Sequence, residues 1–174
     1  MLFTERLILR KFVESDEEAV VTLLKDADFM VYSPTGAMKQ SQAESRFELL
    51  LNAFKNHGIG KLAVIELSTN DLIGYCGIES FEYNNNAAVE LGYRLKLSAR
   101  GKGYAFEASE AILVLAAELG YKNVLALTEP ENTASQHILF KLGFESCEQG
   151  VYQGMPIQYF EKDICIKKVL FCSH

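Results

Sequence analysis

Along this chain apolar residues recur first at every second position and later at every third or fourth, and the switches between these periods lay out the elements. Leu7, Leu9 and Phe12 alternate with Arg6, Ile8 and Arg10, which reads as a first strand. Ser15-Asp16-Glu17-Glu18 has the form of a capping box with an acidic first turn, opening a helix that runs to about Lys25. Ser41-x-x-Glu44 opens a second helix, with Phe47, Leu50, Leu51 and Phe54 on one face, and His57-Gly58 closes it. Between these helices lies a loop, Asp28 to Gln40. Lys61 to Leu67 and Leu72 to Phe81 read as two strands around the turn Ser68-Thr69-Asn70-Asp71, and Ala87 to Leu97 follows the turn Asn84-Asn85-Asn86. Ala105, Ala108, Ile112, Leu115 and Leu119 then step along a long helix that Gly120 stops. Asn123 to Thr128 is a short buried strand, and Glu129-Pro130-Glu131-Asn132 leads into a helix ending at Leu142-Gly143-Phe144. Two strand-like runs finish the chain, one around Val151 and one from Ile157 to Val169. The order β-α-α-β-β-β-α-β-α-β-β, without repeats or an interdomain linker, predicts a mixed α/β (α+β) domain spanning residues 1–174.

Composition narrows the function classes. Of the 174 residues 49% are hydrophobic and 23% charged, a globular mixture. No apolar run approaches the ~20 residues of a membrane span. Met1-Leu2-Phe3-Thr4-Glu5-Arg6 lacks the layout of a signal peptide, so a cytoplasmic protein without a membrane partner is expected. A net charge of −6 argues against nucleic acid and suits an amine-bearing partner. Cys76, Cys147, Cys165 and Cys172 form no CxxC pair, and His57, His137 and His174 are scattered. Reduced thiols and no metal are expected.

The stretch with most chemical content is Leu95-Lys96-Leu97-Ser98-Ala99-Arg100-Gly101-Lys102-Gly103-Tyr104-Ala105, where a strand ends, a basic glycine turn follows and a helix begins. Gly101 and Gly103 remove side chains where backbone N–H groups can converge. The first turn of the helix adds free N–H donors and the positive end of its dipole, and Arg100 and Lys102 add charge. Such a junction can cradle a phosphate. Glycines at a strand–helix junction also serve the turn alone, and neither a P-loop nor a three-glycine dinucleotide pattern is present.

Several stretches, in order, resemble the GCN5-related N-acetyltransferase (GNAT) family. Arg100-x-x-Gly103-x-Ala105 is similar to its pyrophosphate motif, Q/R-x-x-G-x-G/A, and Asn132-Thr133-Ala134-Ser135 through Lys141-Leu142-Gly143-Phe144 resembles its second signature, N-x-x-S followed by K-x-G-F. Thr4-Glu5-Arg6-Leu7-Ile8-Leu9-Arg10 looks like the opening of the RimJ/RimL subfamily, which acts on ribosomal-protein N-termini, and Asp71-Leu72-Ile73-Gly74 and Glu90-Leu91-Gly92-Tyr93 also fit it. The likeness runs from about residue 3 to 168 and departs at Leu97, where the subfamily usually carries proline.

The resemblance implies the GNAT fold, a mostly antiparallel twisted sheet flanked by helices and splayed between its fourth and fifth strands. It implies acetyl transfer from acetyl-CoA to a primary amine by direct attack in a ternary complex, and no metal. Residues Arg100, Gly101, Lys102, Gly103, Tyr104 and Ala105 would hold the pyrophosphate, although Arg100 could equally be a solvated turn residue. The edge at Leu95 would pair with the pantetheine arm, and Asn132 would contact that arm or simply cap its helix. Ser135 would serve the departing thiolate, or merely cap its helix or sit in the first turn, and Leu139 stands where many relatives place a tyrosine. Glu90 is the candidate base or amine-orienting group by motif position, set in an apolar run that would desolvate it. Its alternative is a carboxylate on the outward face of a strand. Phe29, Tyr32 and Tyr152 could line the acceptor pocket or belong to the core, and Glu44, Glu48 and Glu82 could attract a cationic amine or be solvated. No sequence neighbour of Cys76 or Cys147 activates an acyl-cysteine.

The acceptor can be weighed by magnitude. Deprotonating an α-amine of pKa 7.7–8.0 at pH ~7.4 costs roughly half a kcal/mol, and a lysine amine near 10.4 about 4 kcal/mol. The leading expectation is a protein N-terminal α-amine. The alternatives are a small amine (a polyamine, amino acid or antibiotic) or a non-catalytic acyl-CoA sensor, with the chain a monomer or homodimer.

Overall fold

A computed structural model describes residues 1–164, so the expected strand beyond Ile164, Cys165, Cys172 and His174 lie outside the described residues. Its centre is an eight-stranded sheet in the order β1-β2-β3-β4-β5-β6-β8-β7. The strands are β1 (Leu2–Phe3), β2 (Leu7–Arg10), β3 (Lys61–Glu66), β4 (Asp71–Tyr83), β5 (Asn86–Leu95), β6 (Asn123–Thr128), β7 (Glu145–Tyr152) and β8 (Met155–Asp163). The helices are α1 (Glu17–Lys25), α2 (Gln40–His57), α3 (Tyr104–Glu118) and α4 (Thr133–Lys141). Every pairing is antiparallel except β5 with β6, which run parallel and pair only at Glu90 opposite Leu125. This is the expected splay between the fourth and fifth predicted strands.

The period of two explains the two layers. On β3, Leu62 and Val64 join Leu7, Leu9, Ile78, Leu91, Ile112 and Leu139 beneath α3 and α4. Ala63 and Ile65 point the other way, to Val20, Leu24, Phe29, Phe47 and Leu50 beneath α1 and α2. A strand covered on both faces reads as an unbroken apolar run. The remaining hairpins keep the predicted turns, with Asn84 and Asn85 both at positive φ between β4 and β5.

The expected elements form, with local corrections. A two-residue strand, β1, precedes the first predicted one and is too short to show a period. Ser15 does not cap α1. Instead the Asp16 carboxylate accepts from the Val13 N–H at 2.9 Å and binds Arg10 in a two-pronged pair at 2.7 and 2.8 Å. At α2 the reciprocal bond comes from Gln42, whose Oε1 accepts from the Lys39 N–H, so Ser41 already lies inside the helix. In α3 the buried side is Tyr104, Ala108, Ser109, Ile112, Leu113 and Ala116, while Leu119 is 52% exposed. Ala108 and Ile112 were well placed. Leu115 and Leu119 drift off because this helix is apolar on more than one side, which blurs its stripe.

Candidate functional site

The gap between β5 and β6 continues into a cavity of about 610 Å3, bounded by the turn before α3, the first turns of α4, the loop after α1 and the end of β7. Leu91 to Leu95 and Ala126 to Thr128 form its two strand walls. Of the predicted residues, Phe29, Tyr32, Glu90, Leu95, Arg100, Gly101, Gly103, Tyr104, Ala105, Asn132, Ser135 and Tyr152 all line it. Lys102, Glu44, Glu48 and Glu82 are not among the lining residues.

The turn is built from behind. Gly103 is the N-cap of α3 at φ 83°, a conformation that only glycine adopts without strain. A Cβ there would meet Arg6 Nη2 at 3.3 Å. The Arg6 guanidinium lies over the Tyr104 ring at 4.7 Å, donates from Nη1 to the Lys102 carbonyl at 2.8 Å, and pairs with Glu107 at 2.7 Å. Glu107 also accepts from the Thr4 hydroxyl at 2.6 Å and the Arg6 N–H at 2.8 Å. Burial opposes its charge, but these donors prevail and keep its carboxyl below the usual range. The residues Thr4 to Arg6 thus brace the glycine turn, whose Gly101 and Gly103 line the cavity.

Arg100 is a strut. Its Nε donates to the Leu95 carbonyl at 3.0 Å and its Nη2 to the Asp28 carbonyl at 2.7 Å. The Leu95 carbonyl is therefore already engaged within the protein, which corrects the expectation of a fully free edge there. Arg94 does similar work one residue earlier, donating to the carbonyls of Phe29 and Tyr32. Together the two arginines fasten the loop after α1 to the mouth of the cavity. Phe29 is 1% exposed and packs edge-on to Tyr75 at 5.7 Å, so its ring belongs to the core. Tyr32, 39% exposed, lies at the rim, and Tyr152 packs against Phe81 at 5.7 Å.

On the β6 side Asn132 caps α4, its Oδ1 accepting from the Ser135 N–H at 3.1 Å. Ser135 is therefore not the cap, and its Oγ lies 2.8 Å from the Tyr93 hydroxyl of β5. Burial pushes the Tyr93 hydroxyl up to about 12, although the Ser135 contact works against it, so it remains a proton donor. Tyr93 was visible in sequence only as part of a motif. Its signal is a lone hydroxyl in the row Val89, Leu91, Tyr93, Leu95, which must find a partner when buried.

Glu90 does not sit among apolar neighbours. Its Oε2 lies 3.5 Å from Nζ of Lys61, a residue whose side chain is 5% exposed. The same Nζ is 3.5 Å from Glu79 Oε2 and donates to the Gly77 carbonyl at 3.2 Å, and Glu79 also pairs with Arg46 of α2 at 3.2 Å. Lys61, Glu79 and Arg46 all line the cavity, and sequence reading named none of them. Burial disfavours the Lys61 ammonium, but Glu90 and Glu79 outweigh that and hold it above its ordinary range.

Two observations bear on what fits here. The Thr128 hydroxyl, 5% exposed on the cavity wall, has no hydrogen-bond partner among the described residues, as a wall that meets an amide-bearing ligand would leave it. Burial pushes the Cys76 thiol up to about 12 beneath Ser109, so it holds no thiolate for an acyl-cysteine. Among the described residues no group of three or more His, Cys, Asp or Glu is placed to hold a metal, and no helix is long and apolar enough to cross a membrane.

A splayed parallel pair, a braced glycine turn at a helix N-terminus and an asparagine-capped helix opposite are the arrangement that the resemblance to acetyltransferases implies. Comparison with known proteins agrees. The model of the acetyltransferase (GNAT) domain matches residues 6–145, and the chain belongs to that family. An uncharacterized N-acetyltransferase, YnaD of Bacillus subtilis (strain 168), is 31% identical over 80% of this chain and 79% of its own length. A GNAT-family acetyltransferase structure from Bacillus anthracis superposes with TM-score 0.78 at 26% identity, covering 94% of this chain and 98% of that one. A ribosomal-protein alanine acetyltransferase from Vibrio fischeri superposes with TM-score 0.77 at 17% identity, covering 93% and 95%, and shares the fold. So does RimL, a ribosomal-protein α-N-acetyltransferase in complex with coenzyme A, with TM-score 0.77 at 17% identity over 92% and 95%. The chain is thus an N-acetyltransferase of this family.

Proposed function

We propose that this enzyme acetylates a free protein N-terminal α-amine, with Glu90 receiving the amine and Ser135 serving the opposite side of the reaction. Acetyl-CoA, when bound, supplies an activated acetyl thioester. The N–H groups of residues 101–105 and the α3 dipole hold negative charge at the turn, helped by the lack of side chains on Gly101 and Gly103. The open edges of β5 and β6, with the Thr128 hydroxyl, take up amide groups between them. Either hydroxyl of the Tyr93–Ser135 pair can donate; in this reading Tyr93 donates to Ser135 Oγ during transfer, and the serine proton then points into the cavity, toward the place where sulfur departs. A thiolate of pKa near 8.5 needs no stronger acid than a hydrogen bond.

The observation that carries the α-amine reading is the pairing of Glu90 with Lys61. A carboxylate whose oxygens are already shared with an ammonium gives an incoming amine only modest help. It suffices for an amine whose deprotonation costs roughly half a kcal/mol, and falls short for a lysine amine at about 4 kcal/mol. The test compares two peptides of one sequence, one with a free α-amine and one blocked there with a lysine elsewhere. Thiol release should occur with the first and stay at background with the second, and equal rates would refute the assignment.

A further inference from the structure

Lys61, Gly77 and Gly92 stand directly abreast on β3, β4 and β5, because Lys61 pairs with Gly77 and Gly77 with Gly92. Residues opposite one another share a face, so the lysine side chain crosses two strands along a trough with no side chains in it. The trough depends on both glycines. A Cβ on Gly77 would come within 2.3 Å of the Gly60 carbonyl oxygen and 2.7 Å of Lys61 Cα, and one on Gly92 within 2.5 Å of Lys61 Nζ. At its end the ammonium meets Glu79 and Glu90, which are themselves directly opposite each other and without it would be two facing like charges.

We propose that Lys61, threaded over Gly77 and Gly92, is a positioning residue that holds the Glu90 carboxylate aimed into the cavity, and so makes the site take its acceptor as a neutral amine. This rests on the reading of Glu90 given above. The titratable groups around Glu90 come from several elements: Lys61 on β3, Cys76 and Glu79 on β4 and Tyr152 on β7 face it, and Arg46 on α2 pairs with Glu79 beside it. Cys76 and Tyr152 are both pushed upward by burial and stay neutral near pH 7, which leaves two cations against two anions. In this balanced set an acceptor ammonium would compete with Lys61 for the same oxygens, whereas a neutral amine need not.

The experiment is the pH dependence of kcat/KM for a free-amine peptide in wild type, Lys61→Met, Gly92→Ala and Glu90→Gln, with melting curves of each. Lys61→Met takes away the cation that lies 3.5 Å from Glu90, so the acidic limb of the profile should move up by about one pH unit or more, with the KM for acetyl-CoA unchanged. Gly92→Ala keeps the lysine but obstructs its end, so it should move the limb the same way by less. It decides the matter if Lys61→Met does not fold. Acidic limbs that coincide with wild type in the folded variants, while Glu90→Gln is inactive, overturn this inference alone. A Glu90→Gln enzyme with wild-type rates overturns the role of Glu90 and this inference with it.

Discussion

The two ends of the cavity are built by different rules. At the proposed donor end the groups are main-chain N–H and C=O of residues that are neighbours in sequence, from Leu95 to Ala105 and from Asn132 to Ser135. At the proposed acceptor end they are side chains, four charged and one a tyrosine, gathered from residues 46, 61, 79, 90 and 152 on five separate elements. A phosphate turn is a local object that its glycines and helix start announce. A charge cluster exists only once strands are in register. The donor end can therefore stay the same while the acceptor end is rebuilt, one substitution at a time, around another amine.

The acceptor loop gives the largest expected effect. Phe29 and Tyr32 are three residues apart and both border the cavity, yet only the second ring reaches its rim. Phe29→Ala should cost about 3–5 kcal/mol of stability, the range for emptying a buried aromatic site. Tyr32→Ala should leave the melting temperature near wild type and raise the acceptor KM. If instead the Phe29 variant melts normally and loses only acceptor affinity, the ring belongs to the pocket and the division drawn here between core and rim is wrong.

Gly103→Val tests the donor end alone. A β-branched residue at φ 83° and a Cβ against Arg6 Nη2 would force the turn open and withdraw its N–H groups from the anion. Acetyl-CoA affinity should fall about 100-fold, equal to roughly 2.7 kcal/mol, as read by calorimetry. Retained affinity would mean that the diphosphate is held elsewhere. Ser135→Ala should leave that affinity intact and lower kcat by about 100-fold. Tyr93→Phe should lower it less, because it removes only the group that orients the serine proton. A double variant no slower than Ser135→Ala would show that the two hydroxyls act in series.

These contrasts also explain what could be read from the chain and what could not. The alternation of Leu7 and Leu9, the turn at Asn84-Asn85 and the helix that begins after Gly103 are short-range statements, and the structure contains each of them. The mixed fold and its splay followed from order and resemblance. Arg100 looked like a phosphate ligand because a basic turn residue carries charge, but folding brings the Leu95 and Asp28 carbonyls within its reach and makes it a strut. Glu90 was expected in apolar surroundings because only its sequence neighbours were visible, and across the sheet its neighbour is Lys61. Lys61 itself leaves a faint trace, two glycines inside strand patterns, which signal a close approach without saying of what.

The smallest effect separates structural charge from working charge within the acceptor half. Arg10, half-buried, and Asp16, buried, form an ion pair just before α1, and neither lines the cavity, unlike the paired Lys61 and Glu90. Burial works against the charged form of Asp16, but the Arg10 guanidinium and the Val13 N–H outweigh it and hold its carboxyl below the ordinary carboxylate range. A carboxyl lowered on folding adds stability above its unfolded value, near 3.9, and that contribution disappears as the pH falls through the folded value. Asp16→Asn should therefore cost about 2 kcal/mol near pH 7, with the gap to wild type closing on acidification below about pH 4. Its kcat and both KM values, measured below its melting temperature, should match wild type. A variant that kept its stability but shifted the acidic limb of kcat/KM would place Asp16 in the working set beside Glu90, and the separation of scaffold charge from cavity charge would fail.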